Sequence, residues 1–124
     1  MLELSDVLPL FSEMADITED EALRYKESIQ KNREEVLSRV IPGKDVKENK
    51  AKLVLAVAGL SFYDYVLQMA VKEPQSSFTA GEISVSRDID RLLQSAKQYR
   101  DHCLMAARDC LRYDGFVFEG VGER

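Results

Sequence analysis

From Ala51 to Val71 apolar side chains recur on almost every face of a helical projection, whereas the segments on either side mix apolar and charged positions in a three-and-four rhythm. A helix that is apolar all round must be covered all round, so this stretch predicts the central rod of a helical bundle. Asp45 followed by Glu48 supplies a cap signal, and the expected span is Val46–Val71. At 1.5 Å per residue that rod is about 39 Å long. Such a length exceeds the diameter of so small a domain, so either its far end projects or neighbouring copies supply the missing cover. Ala56, Ala58, Gly59 and Ser61 are small interruptions along it.

Three further helices follow from the same reading. A short one is expected near Ser5–Met14, with Ser5 as a cap and Pro9 confining where it begins. A second starts at Thr18, where Thr18 and Glu21 have the spacing of a reciprocal capping box and three acids occupy the first turn. Leu23, Ile29, Val36, Leu37 and Val40 give it an intermittent apolar stripe, and Ile41–Asp45, containing Pro42 and Gly43, ends it. The last helix is expected from Asp88 to Tyr113, with Ile89, Leu92, Leu93, Ala96, Tyr99, Cys103, Ala106, Ala107, Cys110 and Leu111 at the three-and-four spacing of one buried face. Gly115 is its natural left-handed stop.

Two short stretches read differently. From Phe78 to Ser86 the chain alternates with period two, Ile83 and Val85 marking the apolar side, and Phe116 to Val121 alternates in the same way. These predict an extended, β-like loop before the last helix and a β-like tail. A lone two-stranded hairpin is marginal in water, so such edges would pair with each other or with another chain. The resulting fold class is all-α: a small bundle of about four helices with a long central helix and these two extended appendages.

With 124 residues, 45% apolar and 31% charged, the chain has the composition of one globular domain spanning 1–124. Net charge is −5, and the first 23 residues hold seven acids and no Lys or Arg, which argues against specific nucleic-acid binding. Cys103 and Cys110 sit seven residues apart in one helical pattern, roughly 10 Å along the axis, too far for a disulfide. No basic segment followed by an apolar one opens the chain, so cytoplasmic residence is expected. The longest uninterrupted apolar run, Leu53–Leu60, is eight residues, and no membrane association is expected from it.

Candidate chemistry is sparse. His102, the single histidine, adjoins Cys103, but neighbouring helix positions diverge by about 100° and the pair cannot readily work together. With Cys110 they lack a fourth ligand, so no metal is expected. Asp64 is the most suggestive carboxylate because its neighbours are apolar, though contact with water or a basic partner across the bundle is the plainer expectation. Tyr63 and Tyr65 read as bundle packing. No glycine pattern would cradle a phosphate, and no cofactor is expected.

The long helical segments joined through "SFTAGEISVS" and ending in "YDGFVFEGV" resemble the head–tail connector, or head-completion, proteins of tailed bacteriophages and prophages. Gly81, Glu82, Ile83, Ser84, Val85 and Ser86 match the Gly-acidic-hydrophobic-Ser-Val-Ser stretch seen between helices in those proteins, over a region from about Asp45 to Val121. The resemblance implies a non-enzymatic structural adaptor whose copies form a ring on a portal-like or tail protein, in the host cytoplasm and in the virion. It implies protein contacts through Phe78, Gly81, Glu82, Ile83, Val85, Phe116 and Phe118, and an acidic ring would let DNA pass without holding it. The alternative is a small regulatory or scaffolding module that binds a host protein through the exposed face of the second helix.

Overall fold

The computed structural model of the chain describes residues 2–72 and 82–112, with side chains described for 2–70 and 90–112. Five α-helices follow one another: α1 (Leu4–Ala15), α2 (Glu19–Ala22), α3 (Lys26–Ser38), α4 (Lys50–Lys72) and α5 (Glu82–Met105), with a 3₁₀ turn at Leu23–Tyr25 between α2 and α3. The all-α bundle read from the sequence is the observed class.

Local chemistry sets each boundary. α1 begins at Leu4 rather than Ser5: the Glu3 amide donates to Asp6 Oδ2 at 2.8 Å, so Asp6 reaches back over the helix start. Pro9 lies inside this helix, removing one backbone donor without ending it. Asp16 closes α1 in the left-handed region at φ 58°, a conformation Asp tolerates better than most residues. The expected capping box is present, with the Glu21 amide donating to Thr18 Oγ1 at 3.1 Å and the Thr18 amide to Glu21 Oε1 at 3.0 Å.

Beyond that cap the sequence expectation of one unbroken helix fails. The 3₁₀ turn interrupts it and lets the Tyr25 ring meet Tyr65 edge-on at 5.2 Å and Phe11 at 6.0 Å. Phe11 also meets Tyr65 at 6.0 Å, so three rings tie α1, the turn and α4 together.

α4 is the centre of the bundle and packs against α1, α3 and α5. Leu53, Ala56, Val57 and Ala58 are fully buried along it, against a core that includes Phe11, Ile29, Val36 and Leu104. It starts at Lys50 rather than Val46 because the Asp45 carboxylate accepts from the Lys47 amide at 2.9 Å and holds 46–49 as turns. Its 23 residues make it about 34 Å long. By length and composition Lys50–Ala70, with mean hydropathy 1.5, is apolar enough to cross a membrane; here it packs against three neighbouring helices, which bury 39% of it. Toward the far end Leu67 is 36% exposed.

α3 and α5 lie on nearly opposite flanks of α4. The side facing α5 is marked by Gly59 against Cys103, Phe62 against Tyr99 and Tyr63 beneath Arg100. Ser61 and Asp64 face α3. Counting about 100° per residue, Ser61 and Asp64 are turned about 200° and about 140° from Gly59.

Two expectations about the last helix are corrected. Its backbone is helical from Glu82, so Glu82, Ile83, Ser84, Val85 and Ser86 form its first turns and not an extended segment. Among the described residues the only β pairing is an isolated antiparallel bridge between Val40 and Leu111. Without a strand to join, a helix satisfies these backbone groups within the segment itself, and Glu82 suits the positive end of its dipole. At the other end α5 stops at Met105, not Tyr113. Ala106–Cys110 continue as turns, and the chain is then held against the end of α3 through Ile41 N to Cys110 O at 2.9 Å and Arg112 N to Arg39 O at 2.7 Å.

Candidate functional site

α3 and α4 meet across a short polar seam inside an otherwise apolar contact. Asn32 Nδ2 donates to Ser61 Oγ at 3.1 Å and to Asp64 Oδ2 at 3.0 Å, and Ser28 Oγ donates to the same carboxylate oxygen at 3.1 Å. Asn32 and Ser61 are buried. The helix period explains the match: Ser28 and Asn32 are four apart, Ser61 and Asp64 three apart, so each pair projects from one face toward the other. Of the two plainer expectations for Asp64, water or a basic partner, no basic partner across the bundle is among its hydrogen bonds; a hydroxyl and an amide meet it there, and it stays half-buried beside open space.

Outward from this seam lies an open groove of about 400 Å³, lined by Glu27, Ser28, Lys31, Asp64, Leu67 and Gln68. Its floor is a hydrogen-bonded carboxylate, one wall is the exposed Leu67, and its rim carries both charge signs. Such a groove suits an apolar side chain accompanied by a cation. His102 sits on α5, across α4 from α3, so the imidazole and Asp64 do not share a site. Among the described residues no group of three or more His, Cys, Asp or Glu converges to hold a metal ion.

The two cysteines are free and buried. Burial pushes the Cys103 thiol up to about 11, an effect that a hydrogen bond from Tyr99 only partly offsets; burial raises Cys110 as well. These are the properties of unreactive core thiols. Tyr63 lies under the Arg100 guanidinium at 4.6 Å, while Arg100 Nε and Nη2 donate to Asp101 Oδ1 at 2.9 and 2.8 Å. Tyr65 belongs to the ring trio. Both tyrosines serve packing, as their positions in the sequence suggested.

A second surface lies on α5. Leu92, Ser95, Tyr99 and His102 follow one another at three-and-four spacing and all are exposed, Leu92 to 52% and Tyr99 to 40%. Between Arg91 and Arg108 no exposed position carries a charge, although nearly a third of the chain is charged. Tyr99 makes an edge-on contact with Phe62 at 5.8 Å and is 40% exposed.

Of the contact residues expected from the sequence, Glu82, Ile83 and Val85 fall on the first turns of α5, while Phe78, Gly81, Phe116 and Phe118 lie outside the described residues. Ser28, Asn32 and Leu67 carry no expectation from the sequence, whereas Leu92 and Tyr99, expected on the buried face of the last helix, are instead exposed to 52% and 40%. Asn32 was detectable: it stands between Ile29 and Val36 on the buried stripe, where a polar residue needs partners. Comparison with protein-family models, with curated proteins and with solved structures found no match for this chain.

Proposed function

We propose that the chain is a non-enzymatic structural adaptor of the phage head–tail connector type, whose copies assemble as a ring on a portal-like or tail protein. The observation that carries this reading is the apolar surface exposed among the described residues: Leu67 on α4 and Leu92 and Tyr99 on α5, with Leu23 in the 3₁₀ turn also exposed. Large apolar side chains exposed on helix faces mark a surface suited to a protein partner. The helical segments leading into Gly81–Ser86 support the connector assignment through their resemblance to that family.

Two unlike faces on opposite flanks of α4 also suit a subunit that meets one neighbour on each side, the arrangement that closes into a ring. The net charge of −5 suits a ring through which DNA passes without being held. Light scattering at several protein concentrations, alone and with the portal protein, tests the proposal. Growth in mass under either condition supports it. A strictly monomeric protein that the portal leaves unchanged overturns it.

A further inference from the structure

Resting on that adaptor reading, we infer that neighbouring copies join head to tail, with Arg91 and Leu92 of one α5 seated in the α3–α4 groove of the next. The two surfaces complement each other. Leu92 is the most exposed of the described large apolar side chains on α5, and Leu67 forms the apolar wall of the groove. Arg91, exposed beside Leu92, brings a guanidinium to a groove whose Asp64 and Glu27 carboxylates outnumber its one cation, Lys31. Tyr99, two turns along the same stripe, extends the apolar contact beyond the groove.

The placement of the surfaces decides the type of assembly. Because α3 and α5 flank α4 on nearly opposite sides, a single copy cannot bring its own α5 stripe to its own groove. A self-complementary two-fold contact would use one surface twice, whereas here two different surfaces fit each other. Contacts of that heterologous kind repeat around an axis and yield rings or open filaments.

Two variants separate the surfaces. Arg91→Glu with Leu92→Glu spoils the inserting face and leaves the groove intact; Glu27→Arg with Leu67→Arg spoils the groove and leaves the inserting face intact. All four positions are exposed, and unchanged helical circular dichroism confirms that each variant folds. Each variant alone is expected to lose assembly and run as a single chain of 14.1 kDa, and an equimolar mixture is expected to form a species of twice that mass and nothing larger. If the folded variants assemble as the parent does, the surface assignment is overturned while the adaptor reading stands. If both lose assembly but fail to pair when mixed, head-to-tail joining is overturned. A parent protein that remains monomeric with and without the portal overturns both.

Discussion

A Cβ placed on Gly59 would lie 2.6 Å from Cys103 Cβ and 3.0 Å from its Sγ, so α4 and α5 approach at this point as closely as a hydrogen in place of a side chain allows. Gly59 is therefore required by tertiary contact, against the helix preference of its own segment.

Gly59→Ala is accordingly expected to destabilise the bundle. The substitution gains up to about 1 kcal/mol of helix propensity but forces an overlap whose relief typically costs about 1–3 kcal/mol. Urea unfolding should show a lower midpoint with an unchanged slope. Adding Cys103→Gly to the same chain removes the opposing Cβ and should recover part of the packing loss, whereas Cys103→Ala keeps that Cβ and should recover little.

Asn32 bridges Ser61 and Asp64 from a buried position. Asn32→Ala removes the shared donor and leaves the Ser61 hydroxyl and part of the Asp64 carboxylate with fewer partners, a loss of about 1–3 kcal/mol. Asn32→Asp is expected to be worse at neutral pH, because it sets a second carboxylate against Asp64 and supplies no amide donor. Thermal unfolding at pH 7 ranks the two variants, and an Asn32→Asp protein as stable as its parent would contradict the hydrogen bonds from Asn32 Nδ2 to Ser61 and Asp64.

Phe11 is fully buried and touches both Tyr25 and Tyr65 edge-on. Phe11→Ala should cost about 3–5 kcal/mol, the range for removing a buried aromatic ring. Since Phe11 joins α1 to the 3₁₀ turn and α4, amide hydrogen exchange is expected to accelerate in α1 and α2 before it does so in α5. Uniform acceleration would mean that the ring trio is not a local tie.

These contacts also show which parts of the fold could be read from the sequence. The Thr18–Glu21 cap was legible because both partners lie within one helical turn, and the central helix because its apolar character extends over more than five turns. Asn32 was legible in register even though Ser61 and Asp64, its partners, are about thirty residues away in the chain. The break at Leu23–Tyr25 was not legible, since the docking of Tyr25 onto Phe11 and Tyr65 is a tertiary event. Ile83 and Val85 misled because two apolar residues at alternate positions suit the start of a helix as well as a strand, and only the presence or absence of a pairing strand decides. Cys110 and Leu111 stay buried, as a continuing helix would have placed them, but turns and the bridge to Val40 bury them instead.

The last prediction concerns alkaline pH. Burial holds the Cys103 thiol up at about 11, above the 9.0 of an ordinary thiol, so the folded chain keeps its proton where the unfolded chain would release it. That preference contributes fully below about pH 9 and is lost as pH rises through about 11, a change on the order of 2 kcal/mol for a two-unit shift. Cys110 and Tyr99 are displaced in the same direction, chiefly by burial, and add to the same limb. Stability measured by urea unfolding from pH 8 to pH 11 should therefore decline, and Cys103→Ala should flatten that decline while lowering stability at pH 8 through the lost sulfur contacts. At neutral pH both thiols should react slowly with a thiol-specific reagent until denaturant opens the bundle. Rapid modification of Cys103 in the folded protein, or an unchanged pH slope in Cys103→Ala, would show that the α4–α5 contact does not shield the sulfur as the structure describes.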